Sequence, residues 1–317
     1  MSPFRPLSKT VENYVFYVPP ELNGERLDKA LAQLCPDTSR NLIRRLIDIG
    51  AVRVDGKRIR VASRPVRATT RIDVTVQKAL IREPPHFPLD IVHVGDGFIV
   101  VNKPAGQHVQ GTAAGDVGTI SRSVRDWIIA GGQSTRNAHI GVVHRLDSAA
   151  SGIVIVATRA EVTAALSDQF RKHTVKREYL ALVRAVPSTL GGAITSPLRK
   201  ISGGRMAIAD TRPWIEAHTD WVVDATYGHH NLSLLRVQLQ TGRMHQIRVH
   251  LAHAIGPIVG DTKYGIDSSG LLALHAASLT LNLPDSNRTR TFVAPPPVGF
   301  FDPSLIPLIR SDHHCDV

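Results

Sequence analysis

The sequence has little cysteine and no long apolar stretch. Its two cysteines, Cys35 and Cys315, lie too far apart for a disulfide framework or a cysteine metal site, which favours a reducing compartment. The longest apolar runs, Phe98–Val101 and Ile153–Ala157, have the length of strands, whereas a membrane-spanning helix needs about 18 apolar residues. The first residues also lack the basic-then-apolar order of a secretory signal. These features predict a cytoplasmic protein with no membrane partner.

Several catalytic motifs are missing as well. The chain has no G-x-x-x-x-G-K-S/T phosphate loop and no G-x-G-x-x-G turn between a strand and a helix. It also has no G-x-S-x-G elbow for a nucleophilic serine. These absences exclude the nucleotide-driven chemistry of those folds and acyl transfer by a serine elbow.

Positive charge is the first direct sign of function. The chain carries 38 Lys and Arg against 27 Asp and Glu, a net charge of +11. Residues 25–75 alone hold 12 basic and 6 acidic side chains, so about half of the excess lies in about a sixth of the chain. Such an excess suggests an anionic partner, which could be nucleic acid, phospholipid or a phosphorylated metabolite. We expect a compact basic module joined to a larger, nearly balanced domain.

The basic segment has the pattern of two helices followed by a hairpin. Apolar residues recur at helical spacing in Glu25–Leu34 and Arg40–Ile49, and Gly50 ends the second helix. Asp55-Gly56 then predicts a two-residue hairpin turn. Over residues 24–75, this arrangement resembles the RNA-binding module first known from a small-subunit ribosomal protein.

Basic side chains recur on each of these elements. A charge run on one helix is usually no more than a solvated surface, but several elements that share one sign favour contact with phosphates. We therefore favour RNA binding over a solvated surface. The predicted RNA-binding residues of this module are Arg44, Arg45, Arg53, Lys57 and Arg58.

A proline-rich linker at residues 81–89 precedes the larger domain. There, many predicted strands with few helices between them indicate an α+β fold rather than a doubly wound one. A helix is predicted over Thr241–Ala254 and a closing strand over Leu279–Leu283. The predicted organisation is an N-terminal extension at 1–23, a small α/β RNA-binding domain at 24–80, the linker, the large domain at 90–303 and a tail at 304–317.

Three histidines, His245, His250 and His253, suggest a metal site as one alternative. A metal needs three or four convergent ligands, yet acids are sparse nearby, with Asp261 the nearest, and two neighbouring arginines would repel a cation. We favour histidines that hydrogen-bond or face phosphates, and we predict no metal.

Asp147 is the other candidate for chemistry. It follows Arg145 on a loop between two apolar segments. An isolated aspartate usually caps a helix or joins an ordinary ion pair. Here a second loop-to-helix element, Thr241–Leu251, supplies more cations, and a neighbouring guanidinium keeps a carboxylate nucleophile ionised. The residues alone therefore predict an anionic nucleophile in an RNA-facing cleft.

The order of motifs resembles the pseudouridine synthases of the RluA family. His144–Gly152 matches the family's H-R-L-D-x-x-x-S-G stretch around its catalytic aspartate. The resemblance spans residues 90–300 and implies a catalytic domain with a mixed, mainly antiparallel sheet. Together with the basic module it gives the family's common two-domain layout. The further matches, in the family's order, are Val101–Gly106, Lys176–Val183, Thr241–Leu251, Gly256–Gly265 and Leu274–Ala276.

The resemblance implies roles at matching positions. Asp147 would attack the target uridine, Tyr179 would lie against the flipped base, and Arg243 would pair with the nucleophile. Arg145 would fill the gap left by the extruded nucleotide and so offset part of the cost of unstacking it. The family's reaction needs no metal or organic cofactor. The remaining predicted RNA contacts are His144 and Arg248.

Three positions depart from the family's pattern. Ala150 and Met244 stand where threonine is usual, and Gln107 begins a segment where the family often continues with valine, histidine and proline. These departures bear on the substrate more than on the reaction.

The sequence thus predicts an RNA pseudouridine synthase that acts as a monomer on structured RNA, with ribosomal RNA favoured over transfer RNA. The alternative is a catalytically silent RNA-binding or ribosome-assembly factor on the same fold. Such a factor would lack part of the aspartate, tyrosine and arginine set, and all three are present at Asp147, Tyr179 and Arg243.

Overall fold

The computed structural model describes residues 11–77, 87–132, 139–267, 270–286 and 288–300. These residues form two compact units. The first unit contains residues 11–77, 87–88 and 110–132, and the second contains residues 89–109 and the described residues from 139 onward. Most of the predicted linker at 81–89 and all of the predicted tail at 304–317 lie outside the described residues.

The described residues contain five α-helices: α1 (Leu27–Leu34), α2 (Arg40–Asp48), α3 (Ile120–Ala130), α4 (Ala160–Arg171) and α5 (Gln246–Ala254). Their strands are β1 (Glu12–Tyr17), β2 (Val52–Val54), β3 (Lys57–Arg58), β4 (Arg71–Val76), β5 (Ile91–Gly95), β6 (Phe98–Lys103), β7 (Gly141–Val142), β8 (Ser151–Ala157), β9 (Lys176–Val183), β10 (Gly191–Ile194), β11 (Leu198–Ile201), β12 (Arg205–Ile208), β13 (Thr219–Tyr227), β14 (Leu232–Leu239), β15 (Leu274–Asn282) and β16 (Thr289–Val293). None of the helices in this part of the chain is long and apolar enough to cross a membrane.

The first unit has two amphipathic helices and a hairpin, as the sequence pattern predicts. Ser39 is the N-cap of α2, and its Oγ accepts a hydrogen bond from Leu42 N–H. Asp55 and Gly56 have φ values of 47° and 74°, the backbone of a tight turn between β2 and β3. The four-stranded sheet has the order β1-β4-β2-β3. Strand β1, which lies in the predicted N-terminal extension, is therefore an edge strand of this sheet.

Residues 110–132 belong to the first unit, although the sequence predicts them in the large domain. Asp116 N–H donates to Ile49 O at 3.0 Å, and Arg122 Nη1 donates to Asp48 O at 2.8 Å. Asp116 also pairs with Arg60. The segment thus supplies donors to carbonyl groups at the C-terminal end of α2. One of these contacts joins residues 74 positions apart, and local sequence patterns do not reveal such a pairing.

The second unit is built on one mixed sheet. Its strand order is β10-β13-β14-β9-β15-β8-β6-β5, with β16 paired to β15 and β7 paired to β8. Among the described pairs of this sheet, β8 and β15 run parallel and the others are antiparallel. This topology confirms the predicted α+β fold with a mainly antiparallel sheet. Strand β8 is buried along its whole length and begins directly after the loop that carries Asp147.

Two elements of this unit differ from the prediction. The helix predicted over Thr241–Ala254 begins only at Gln246, because His245 has a left-handed backbone with φ 54° that a helix does not accommodate. The strand predicted over Leu279–Leu283 runs over Leu274–Asn282, where it pairs on both sides.

Candidate active site

The loop that carries Asp147 connects β7 to β8 and is fixed on both sides of this residue. Ala150 N–H donates to Asp147 O at 3.2 Å. Ser148 O accepts hydrogen bonds from Gly106 N–H at 2.7 Å and from Lys103 Nζ at 3.1 Å. The carboxylate therefore stands on a constrained backbone while 24% of its side chain stays exposed.

The position of Gly152, the last residue of the motif, requires a glycine. Its φ is 114°, and a Cβ atom there would lie 2.3 Å from Ala276 O. Ser151 and Gly152 pair with His275 and Ala276 in the parallel register of β8 and β15. A side chain at Gly152 would force these strands apart directly beneath the Asp147 loop.

His144, which the sequence predicts as an RNA contact, instead turns its side chain inward. Its Nε2 accepts a hydrogen bond from Ile155 N–H at 3.0 Å, and its ring stacks on Phe170 with 4.6 Å between the centroids. Burial, helped by the charge of Arg177, lowers the pKa of His144 to about 3, so the ring is neutral and can accept this bond. His144 thus anchors the loop, and the neighbouring Arg145 is exposed.

Arg248 is the cation beside the candidate nucleophile. Its Nη1 lies 3.2 Å from Asp147 Oδ2. Its Nε and Nη2 donate to Asp261 Oδ2 and Oδ1 at 2.8 and 2.7 Å, a bidentate pair. Arg243, for which the sequence predicts this pairing, is exposed and donates from Nε to Glu216 O at 2.9 Å.

The position of α5 explains this correction. Arg248 lies in the first turn of α5, where residues 246–251 are all buried, whereas Arg243 precedes the helix. Burial disfavours the charge of Arg248, but its contacts with Asp261 and Asp147 outweigh that effect and raise its pKa. Arg248, predicted as an RNA contact, is 4% exposed and supports Asp147 instead.

The guanidinium of Arg248 and the imidazole of His245 approach the same oxygen of the Asp147 carboxylate. Arg248 Nη1 and His245 Nε2 lie 3.2 and 3.8 Å from Oδ2. Both of these contacts are therefore made to Oδ2 rather than to Oδ1.

Tyr179 lies on β9 and is 7% exposed. It belongs to the apolar cluster that packs against Leu146 and Ala149 of the Asp147 loop. Burial raises the pKa of Tyr179, which Asp147 raises further and Arg177 lowers. The phenol is therefore protonated at neutral pH and lies within electrostatic range of the carboxylate.

Known proteins resemble both parts of this chain. The family model for RNA pseudouridylate synthase matches residues 97–253, and the model for the S4 domain matches residues 25–72. An uncharacterized RNA pseudouridine synthase of Chloroflexus aurantiacus is 39% identical over 306 residues, which cover 90% of this chain and 91% of that protein. The chain belongs to the RNA pseudouridylate synthase family.

Further similarities extend over most of the chain. Ribosomal large subunit pseudouridine synthase D of Haemophilus ducreyi is 32% identical over 92% of this chain and 93% of that protein. The structure of human RNA pseudouridylate synthase domain containing 1 has a TM-score of 0.55 and 25% identity, over 72% of this chain and 96% of its own. These similarities confirm the predicted family, enzyme class and fold.

The sequence did not predict the structural role of Lys103 in this RNA pseudouridylate synthase. The side chain is fully buried, and Nζ donates to Pro104 O, Gln107 O and Ser148 O at 2.9, 2.9 and 3.1 Å. Burial lowers the pKa of Lys103 to about 7, against the opposing effect of Asp147. The amine thus ties the Pro104–Gln107 segment to the loop that carries Asp147. The Asn-Lys-Pro-Ala-Gly motif marked the position, but lysines are so rarely buried that it gave no sign of this role.

Lys103→Met is expected to lower the free energy of unfolding by about 1–3 kcal/mol, because three carbonyl oxygens lose a donor. The folded-state pKa of about 7 lies below the unfolded value. Between these two values the unfolded chain holds one more proton, so the free energy of unfolding of the wild type rises with pH. Denaturant unfolding should therefore show that the difference in unfolding free energy between wild type and variant grows from about pH 7 to about pH 10. A gap that stays constant would contradict the burial of an ionisable amine.

The three histidines considered as metal ligands do not converge. Both ring nitrogens of His250 are occupied, Nδ1 by Thr219 Oγ1 at 2.8 Å and Nε2 by Ser196 O at 2.9 Å. His245 turns toward the Asp147 loop, and His253 is exposed. Across the described ranges, no group of three or more His, Cys, Asp or Glu side chains could hold a metal ion.

The basic residues of the S4 domain differ in what they can contact. Arg45 and Lys57 are exposed. Arg53 Nη1 donates to the carbonyl of Gly56 at 3.3 Å. Arg58 is half-buried and donates to two backbone carbonyls, so this guanidinium serves the structure of the unit more than a ligand.

Arg44 belongs to a cluster around a buried acid. Asp28 is fully buried and accepts hydrogen bonds from Arg26 Nε, Arg40 Nη2 and Arg44 Nε at 3.0, 2.7 and 2.9 Å. Burial acts to raise the pKa of Asp28, but the three guanidinium groups lower it overall. The arginine side chains are 40–49% exposed, so one buried carboxylate presents three cations to the solvent.

Proposed function

We propose that this enzyme isomerises uridine to pseudouridine in ribosomal RNA, with Asp147 as the nucleophile. One observation carries the catalytic assignment: the part-exposed carboxylate of Asp147 has Oδ2 held by Arg248 at 3.2 Å, while Oδ1 is outside this contact. The substrate is supported by a relative of similar length whose name places its reaction on the large ribosomal subunit. Action as a cytoplasmic monomer is part of the same proposal.

The reaction begins with attack by Asp147. The guanidinium of Arg248 favours the ionised carboxylate, which is the nucleophilic form. Oδ1 attacks either the anomeric carbon of the ribose or ring carbon 6 of the uracil. The glycosidic bond breaks, the uracil rotates, and its carbon 5 bonds to the sugar. The bond to Asp147 then breaks, carbon 5 loses its proton and the freed ring nitrogen N1 gains one, so the nucleoside is isomerised with no net change in its atoms.

Access to the glycosidic bond requires that the base leave its stack. This step costs a few kcal/mol. Arg145 is exposed two positions before Asp147, so its guanidinium can occupy the gap and offset part of that cost. Tyr179, buried beneath the loop, offers its ring to the flipped base.

A hairpin of the second unit that the sequence pattern did not indicate supplies further candidate RNA contacts. Strands β11 and β12 are only four residues each and are joined through Gly203 and Gly204, both with positive φ. Arg199, Lys200 and Arg205 on this hairpin are exposed. Beyond it, a guanidinium stacks on the exposed Trp214, and the combination of cations with an aromatic ring suits both phosphates and unstacked bases.

Asp28→Asn is expected to weaken RNA binding about threefold to tenfold, the scale of one or two lost phosphate contacts. A neutral amide oxygen cannot hold three guanidinium groups at once, so the arginines lose their common orientation. Fluorescence anisotropy with labelled RNA, measured across a salt series, gives the change in affinity and in salt dependence. Thermal unfolding establishes that the variant is folded at the assay temperature.

Asp55→Asn is the matched control in the same unit. Asp55 lies in the exposed turn of the β2–β3 hairpin, where φ is 47° and asparagine fits well. Both variants remove one negative charge, which by itself strengthens attraction to RNA. Equal or stronger binding in Asp28→Asn would contradict the role of the buried carboxylate.

Tritium release tests the reaction and its substrate together. Ribosomal and transfer RNA labelled with tritium at carbon 5 of uridine are prepared from cells that lack this protein. We expect release from ribosomal RNA and only background from transfer RNA. Release from transfer RNA alone would overturn the proposed substrate but would still support the proposed reaction. Release from neither, after unmodified precursor RNA has also been tried, would overturn the reaction.

A further inference from the structure

His245 approaches Asp147 from the start of α5. Its Nε2 lies 3.8 Å from Asp147 Oδ2, and its side chain is 9% exposed. The backbone at this position is left-handed, with φ 54°, a conformation that glycine and asparagine adopt more readily than histidine. This backbone places the imidazole directly before α5, with Nε2 toward the Asp147 carboxylate.

Tyr264 determines which nitrogen of His245 carries the proton. Tyr264 Oη accepts a hydrogen bond from Met206 N–H at 2.8 Å and lies 2.7 Å from His245 Nδ1. Within the described residues, His245 Nδ1 is the acceptor in reach of the phenolic proton, so the hydroxyl donates to it. The ring proton then lies on Nε2, the nitrogen that faces Asp147.

Tyr264 also supports the second group at the nucleophile. The guanidinium carbon of Arg248 lies 5.2 Å from the centroid of the Tyr264 ring, within the range of a cation–π contact. Burial lowers the pKa of His245, so the imidazole is neutral and acts as a hydrogen-bond donor without adding a second positive charge. One tyrosine thus orients both residues that face Oδ2.

We propose that His245 is a positioning residue for Asp147 and that Tyr264 fixes its tautomer. The Nε2–H group holds Oδ2 together with Arg248 and thereby directs Oδ1 at the uridine. The 3.8 Å separation shortens to a hydrogen bond when RNA closes the site, as catalytic contacts often do on substrate binding. This inference rests on the proposed role of Asp147 as the nucleophile.

Two substitutions at His245 separate positioning from structure. A glutamine amide extends as far as Nε2 and can donate to Asp147, whereas an asparagine amide ends near Nδ1 and can reach only Tyr264. We expect His245→Gln to keep kcat within a few-fold of wild type and His245→Asn to lower it about tenfold or more, with KM unchanged. A purely structural role predicts the opposite order, because asparagine suits the left-handed backbone better than glutamine. A kcat for His245→Asn equal to or above that of His245→Gln would overturn the proposal.

Tyr264→Phe gives a second, independent measurement. It removes the hydroxyl and keeps the ring that faces Arg248. We expect kcat to fall about threefold to tenfold in the wild-type background and much less in the His245→Gln background, because an amide donor has no tautomer to fix. Equal losses in both backgrounds would overturn the role of Tyr264. Asp147→Asn, assayed alongside, keeps the tests distinct, since turnover in that variant would instead reject the nucleophile itself.

Discussion

Asp147→Asn is expected to lower turnover by about 10⁴-fold or more, the scale on which loss of a catalytic nucleophile acts. An amide oxygen is a poor nucleophile and has no negative charge to offer the uridine. The site should otherwise persist, because Arg248 keeps its bidentate pair with Asp261 and the loop keeps its bonds at Ser148. RNA affinity should stay within about threefold of wild type, since no phosphate contact is lost. Single-turnover tritium release and anisotropy measure the two quantities on one preparation.

Asp224→Asn is the matched control for this variant. Asp224 lies on β13 and accepts a hydrogen bond from Arg236 Nη2 at 2.8 Å, so the same carboxylate-to-amide change is made beside an arginine outside the site. We expect wild-type turnover from it. Appreciable turnover by Asp147→Asn would mean that another group attacks the uridine.

Arg248→Met has the second largest expected effect, because it removes both the charge partner of the buried Asp261 and a contact to Asp147. Asp261 is 1% exposed and would keep two backbone donors but no counter-charge. Leaving a buried carboxylate without its cation costs about 3–5 kcal/mol of unfolding free energy. Turnover should fall as well, because Oδ2 of Asp147 loses its closest donor. Chemical denaturation and tritium release measure these losses separately.

Two comparisons distinguish stability from catalysis at Arg248. Adding Asp261→Asn to Arg248→Met removes the stranded charge, so part of the stability should return while turnover stays low. Arg243→Met should change both quantities little, because its side chain is exposed and makes one contact with a backbone carbonyl. A larger loss of turnover in Arg243→Met than in Arg248→Met would contradict the arrangement around Asp147.

Features set by neighbouring residues could be predicted from the sequence. The helix end at Gly50 and the turn at Asp55-Gly56 depend on a few consecutive residues, and both form as expected. The apolar run Ile153–Ala157 predicts a buried strand, and the structure has one there. The family's motif located Asp147, and the similarities to known synthases confirm the family.

Features set by distant contacts could not be predicted. Arg243 and Arg248 occur in one basic motif, and which of them meets Asp147 depends on where α5 begins. That start coincides with the left-handed backbone of His245, whose ring contacts Tyr264, 19 residues further along the chain. Local patterns treat both arginines as equivalent cations.

Buried charges were missed for a related reason. Lys103 and Asp28 are both fully buried, although residues of these types are almost never buried without partners. Each is held by three hydrogen-bonding groups, and at least one of the three lies far away in the sequence, such as Ser148 for Lys103 and Arg40 for Asp28. The grouping of residues 110–132 with the S4 domain was hidden in the same way, because its contacts join segments far apart in the chain.

Nucleoside analysis of ribosomal RNA tests the central claim most directly. RNA that lacks the modification is incubated with the enzyme, digested and separated by chromatography, so that uridine and pseudouridine are counted in the same sample. The account predicts one pseudouridine gained for each uridine lost with wild type, and none with Asp147→Asn. Tight binding of this RNA by the wild type with no pseudouridine formed would contradict the account and favour a silent assembly factor.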